Sequence, residues 1–302
     1  MRESGLSMKN STLFSIASSL TLVSIVACTE VGPEGGSGAE TGTDTDTETS
    51  TGDGDGDGDG DGDGDGDGDG DPGDGDGDGD GDPDPDGMVT NGEFWIDATE
   101  VSVFEYAGFL PQANLDDLPE VCAWKDSFTP QYWDSQLFDS DAPVTGVDWC
   151  DAYAYCASEG KRLCGLTDGQ PATLADANDA MNNEWFRACN GGDASQTYPY
   201  GAMYDANACN GEDAGIDEVV DVGTLPGCEG DIPGLRDMSG NVWEWTSACD
   251  DADVPDSEQE CRRRGGSFNS SANIVRCAVG SVRARDYRLN NTGIRCCRDF
   301  MP

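Results

Sequence analysis

The chain has 302 residues with a formal net charge of −45, 13 cysteines and no histidine. The lack of histidine excludes Ser-His-Asp and Cys-His catalysis, and any zinc, iron or copper site that needs imidazole. Residues 29–88 carry 23 acidic groups and no Lys or Arg, and residues 89–302 hold 14 basic against 37 acidic groups, a net of −23. An excess of that sign in both parts makes nucleic acid an unsuitable partner. Twelve of the cysteines lie between Cys122 and Cys297. That density predicts a disulfide framework in an oxidising compartment.

Residues 1–28 read as an export signal. Arg2 and Lys9 precede an apolar stretch from Leu13 to Ala27, too short to span a bilayer comfortably, and Met8 offers a second start. The stretch ends Ile25-Val26-Ala27-Cys28. This resembles a bacterial lipobox, in which the Cys is diacylated and becomes the first residue; two or three acyl chains anchor stably where one is marginal. Cys28 is therefore the expected lipidation site, giving membrane attachment and a cell-envelope location. It also leaves an even number of cysteines to pair. An ordinary signal peptide with a leftover Cys28 is the alternative.

Residues 29–88 read as a tether. Thr41 to Asp46 gives way to an Asp-Gly alternation from Asp53 to Asp82. Glycine freedom, repulsion between aspartates and the absence of apolar surface predict an extended, unfolded spacer. The repeat has the carboxylate density of a calcium loop but not its shaped turn or closing Glu.

Residues 89–302 read as one α+β domain with modest regular structure. Phe94-Trp95-Ile96 predicts a strand. Ser102-x-x-Glu105 has capping-box spacing and opens a helix with Phe104, Tyr106, Phe109 and Leu110, stopped by Pro111. A second helix starts at Asp148, with Trp149, Ala152, Tyr153 and Cys156 on one buried face and Gly160 at its end. A third is predicted from a Thr173 cap through Leu174, Ala177, Ala180, Met181, Trp185 and Ala188. Beyond it, Gly, Pro, Asn and Asp recur every few residues, which predicts short strands and long loops.

Several segments in register resemble the formylglycine-generating enzyme, or sulfatase-modifying factor, family. They are Pro143-Val144-Thr145-Gly146-Val147-Asp148-Trp149 with Asp151-Ala152-Tyr153-Ala154-Tyr155-Cys156, Gly160-Lys161-Arg162-Leu163, Glu184-Trp185-Phe186-Arg187-Ala188, Tyr198-Pro199-Tyr200-Gly201, the run from Gly234 through Asp237-Met238-Ser239-Gly240-Asn241-Val242-Trp243-Glu244-Trp245, Arg264-Gly265-Gly266-Ser267-Phe268, and Gly293-Ile294-Arg295. The resemblance spans roughly residues 90–298 and implies an irregular, C-type-lectin-like variant of the α+β class.

It also implies a reaction to test. Such enzymes oxidise a sulfatase cysteine to formylglycine with O2 and a copper ion held by two thiolates, soft ligands that select Cu(I). The family's thiolate positions fall near Ser270 and Val275 here, and no choice of gaps puts two cysteines in that loop. Copper is therefore not expected, no catalytic residue is assigned, and a non-catalytic surface binding or scaffold role is favoured over the oxidase alternative. A glycan, peptide or protein partner outside the cytoplasm is expected, with Tyr198, Tyr200, Tyr204 and Tyr287 as candidate sugar-stacking aromatics. The histidine-dependent iron branch of the superfamily is excluded. The resemblance further implies structural calcium held by Asp237, the carbonyls of Gly240 and Val242, and Glu244, an oxygen-only set; Asp237 as a turn cap with a solvated Glu244 is the alternative. A second family calcium position near Asn207 diverges here. Carried over, the disulfides are Cys156–Cys296 and Cys189–Cys277. Cys249 and Cys261 are expected to close the acidic 250–260 loop. Cys122, Cys150, Cys164, Cys209, Cys228 and Cys297 then form three more bridges of open connectivity.

Overall fold

The computed structural model describes residues 86–300. The expectations for Cys28, the export signal and the 29–85 part of the tether lie outside those residues. Met88, one residue before the 89 boundary, is buried in the first strand.

Two small sheets carry the domain. One has the order β1 (Met88–Thr90), β2 (Phe94–Asp97), β8 (Cys296–Asp299), β3 (Arg162–Leu163), all antiparallel. The other has the order β6 (Gly280–Ala284), β5 (Glu260–Arg264), β4 (Trp243–Cys249), β7 (Thr292–Gly293), with only β4 and β7 parallel. Helices are few and short: α1 (Val103–Phe109), α2 (Trp133–Gln136), α3 (Trp149–Ser158) and α4 (Glu184–Cys189). Among the described residues no helix is long and apolar enough to cross a membrane.

The helix starts follow their caps. Ser102 and Glu105 exchange side-chain and backbone hydrogen bonds at the head of α1, and Asp148 and Asp151 do the same at α3. Tyr106 and Phe109 enter the core, whereas Phe104 is 72% exposed because the box turns it to the opposite side. On α3, Trp149, Ala152 and Cys156 are buried as expected. Tyr155, rather than Tyr153, completes the buried face, and Tyr153 is only partly covered. Gly160 adopts φ +67° while the Lys161 amide returns to the Cys156 carbonyl at 2.8 Å, the left-handed end that glycine permits.

The predicted third helix does not run from Thr173 to Ala188. A single 3-10 turn spans Asp176–Asn178, and α4 begins afresh at Glu184 behind an Asn183 cap. The Asp179 carboxylate accepts hydrogen bonds from the Met181 and Asn182 amides (3.0 and 3.3 Å). These local bonds compete with helix propagation through the Asp- and Asn-rich run. Met181 is consequently exposed.

Six disulfides staple the layers. Cys156–Cys296 and Cys164–Cys297 send the adjacent cysteines of β8 to different partners, α3 and the end of β3. Cys189–Cys277 ties α4 to the loop before β6, and Cys249–Cys261 closes the acidic loop between β4 and β5. Cys122–Cys150 and Cys209–Cys228 complete the set and resolve the open connectivity.

Candidate functional site

The site begins on the β4–β5 pair and the loop that follows it. Strand β4 supplies Trp243, Glu244 and Trp245, and β5 ends in Arg263 and Arg264. The chain then turns through Gly265 and Gly266, at φ +92° and +80°. A Cβ on Gly266 would lie 2.8 Å from Val275 Cγ1. Both the positive φ and the close approach therefore demand glycine there.

Residues 267–277 form the loop where the resemblance places copper thiolates. Ser270 is buried and its Oγ accepts the Ser267 amide at 3.1 Å. Ser267 Oγ donates to Asn269 Oδ1 at 2.8 Å, and Asn291 Nδ2 donates to both, at 3.3 and 3.2 Å. Val275 presents a buried isopropyl group, and its carbonyl accepts Ser239 Oγ at 2.6 Å. Cys277 is bonded to Cys189. Around Ser270 the loop is thus a hydroxyl-amide network, and every cysteine among the described residues is in a disulfide. Hydroxyl and aliphatic groups do not replace soft thiolates, so the residues present do not fit a two-thiolate copper centre.

Two guanidiniums close the site from below. Arg263 lies over the rings of Trp243, Trp245 and Tyr287 (5.3, 5.6 and 4.7 Å to the centroids) and donates to Thr292 Oγ1. Burial pushes its ionisation down to about 10. Arg264 lies over Trp185 and Phe186 and donates to the Cys277 carbonyl at 3.0 Å; burial pushes it down to about 9. Tyr287 also has the Arg283 guanidinium 5.4 Å from its ring centroid. Tyr198 is buried against Tyr200 and Tyr204, with its hydroxyl bound to the Ala272 carbonyl. Tyr198 is not a free stacking platform; Tyr200, Tyr204 and Tyr287 are only partly covered.

Glu244 is fully buried, with Oε1 accepting Arg295 Nε at 2.9 Å and Oε2 accepting the Trp185 indole N–H. Asp237 stands at φ +61° and accepts the Gly223 amide at 2.5 Å. Glu100, which the sequence reading missed, accepts the Val242 amide and Asn241 Nδ2 at 3.3 and 3.2 Å. Arg295 supplies the positive charge where a divalent ion was expected, and both oxygens of Glu244 are already used. Among the described residues no group of three metal-binding side chains converges. The solvated-Glu244 alternative fails, because Glu244 is fully buried; Asp237 and Glu244 are oxygen donors of the kind calcium takes, with Glu244 held here by Arg295 and Trp185. Burial raises the carboxyl groups of Glu100, Asp237 and Glu244, and repulsion adds to Glu100 (from Asp237 and Glu244) and to Glu244 (from Asp237). The only sequence sign of Glu100 was its place two residues before the Ser102 cap. Arg295 appeared only as part of a motif.

The sequence profile of the sulfatase-modifying factor enzyme 1-like domain matches residues 66–300. The chain belongs to that family. A formylglycine-generating enzyme of Bos taurus is 29% identical over 251 residues, covering 72% of this chain and 61% of the relative. An inactive C-alpha-formylglycine-generating enzyme 2 of Bos taurus is 34% identical over 170 residues, covering 51% and 49%. This family member thus spans about half to three-fifths of the length of these curated relatives. The crystal structure of CarF superposes with a TM-score of 0.48 at 22% identity, covering 69% of this chain and 87% of that one.

Proposed function

We propose that this chain is an exported, lipid-anchored sulfatase-modifying-factor-like protein whose domain is a non-catalytic surface binding or scaffold module. The observation that carries the reading is the pairing of all twelve cysteines from Cys122 to Cys297, with Ser270 and Val275 at the thiolate positions. A copper oxidase needs two free thiolates, and this set offers none. Likeness to a relative named as inactive agrees with it. The Ala27-Cys28 junction supports the anchor and the cell-envelope location, the Asp-Gly run supports reach from the membrane, and the acidity of both parts supports a partner other than nucleic acid.

The competing reading, an oxidase acting on a sulfatase cysteine, is favoured by likeness to a formylglycine-generating enzyme. Oxygen uptake by the protein with Cu(I) and a sulfatase-derived cysteine peptide separates the two. The proposal expects no uptake above a protein-free control; turnover dependent on Cu(I) sinks it. Metabolic labelling with palmitate tests the anchor: label lost in Cys28→Ala supports it, and label absent from the wild type removes it.

A further inference from the structure

A cavity of about 200 Å³ lies between α3, β3, the 169–171 turn and β4. None of its lining residues belongs to the 267–277 loop or to the Asp237–Glu244 turn. Its walls are mainly Trp149, Tyr153, Leu163, Pro171 and the Cys249 sulfur, with Trp149 and Tyr153 stacked at 5.4 Å. Most polar groups on the wall are already used. The Trp149 indole N–H donates to the Thr246 carbonyl, Ser247 Oγ accepts the Ala172 amide, and Arg162 is held by Glu184 and Asp299.

Arg285 is the buried exception, beside the exposed Gln170 side chain. It lines the cavity at 3% exposure, with its guanidinium 5.1 Å from the Trp149 ring centre. Nη1 donates to the Asp256 carbonyl at 2.9 Å, while the buried Nε–H has no partner. Asp250 and Asp256 are near enough to balance part of its charge. That Nε–H has no accessible surface, so a ligand would meet the guanidinium through its other N–H groups, and a guanidinium binds a carboxylate best of all. The rest of the wall suits a flat apolar ring. A sugar fits poorly, since its hydroxyls would be desolvated against a wall with few free donors or acceptors. An apolar pocket with one convergent charged group is the usual form of a small-molecule site.

We propose that this cavity binds a single-ring aromatic carboxylate, the ring against Trp149 and Tyr153 and the carboxylate on Arg285. The assignment does not depend on the non-catalytic reading and holds equally for an oxidase.

The test is a titration of the intact protein with phenylacetate, followed by the Trp149 indole N–H resonance. The site predicts a saturable shift with a dissociation constant on the order of 1 mM, as suits a ligand of about ten non-hydrogen atoms. Benzyl alcohol, which keeps the ring and drops the charge, should bind about tenfold more weakly. Glucuronate, which keeps the carboxylate and replaces the ring, should give no saturable shift. Arg285→Gln should weaken phenylacetate binding about tenfold, with Arg285→Lys between. No saturable shift with phenylacetate overturns the proposal. So does equal binding of benzyl alcohol or glucuronate to the wild type, a comparison that needs no variant to fold.

Discussion

Replacing Arg295 by Met is the sharpest perturbation of the buried polar centre. Arg295 is fully buried; Nε donates to Glu244 at 2.9 Å, Nη1 to the Asp97 carbonyl at 2.7 Å and Nη2 to the Arg236 carbonyl at 2.8 Å. Methionine keeps most of the apolar volume and removes all three bonds. Leaving one member of a buried ion pair alone costs about 3–5 kcal/mol, and two orphaned carbonyls add to that. A loss of about 5 kcal/mol is expected at pH 8. The loss should be smaller at pH 5.5, because Glu244, already raised by burial, is raised further and protonates more easily. Guanidinium unfolding with the disulfides intact, followed by tryptophan fluorescence, gives both numbers. Adding Glu244→Gln should recover part of the loss at pH 8. A cost below about 1 kcal/mol, or the same cost at both pH values, would refute the assignment of Arg295 as the charge that balances the centre.

Three further outcomes follow from the same structure. Glu100, Asp237 and Glu244 have raised ionisations in the folded state. Their contribution to stability is complete below the unfolded carboxyl range and declines as pH rises through the folded values, so the melting temperature should fall from pH 5 to pH 8. Excess EDTA should not move it at either pH; a drop on chelation would restore calcium to the centre. Removing Cys249–Cys261, whose cysteines are 12 positions apart with no other bridge inside the loop, should cost about 3 kcal/mol in the chain-entropy account; no loss in denaturant melts would contradict it. Gly266→Ala forces a Cβ to 2.8 Å from Val275 at φ +80° and should destabilise by about 2 kcal/mol in the same melts, whereas a neutral result would mean the turn relaxes freely.

The parts of the fold that were readable from sequence are those set by local chemistry. The Ser102–Glu105 box and Asp148 placed two helix starts, and Gly160 placed one end. The third helix was misjudged because apolar spacing from Leu174 to Ala188 is compatible with a helix, while the Asp179 side chain holds the following amides in a turn. The thiolate positions could be judged because a missing cysteine is visible in the sequence. The partners of Glu244 and Val242 could not, because they lie far along the chain: Glu244 meets Arg295, 51 positions later, and the Val242 amide meets Glu100, 142 positions earlier. No local pattern announces either meeting. The Arg285 cavity was hidden for the same reason, since Trp149, Leu163 and Arg285 come together only when β3, β4 and α3 pack.

The central claim is that the thiols of this domain are staples and not ligands. The direct measurement is native mass spectrometry of the purified, unreduced protein after thiol alkylation and Cu(I) titration. The account predicts six disulfides among Cys122 to Cys297, no alkylated cysteine in that range and no bound copper. Two alkylated cysteines in that range, with one Cu(I) taken up per chain when alkylation is omitted, would contradict it.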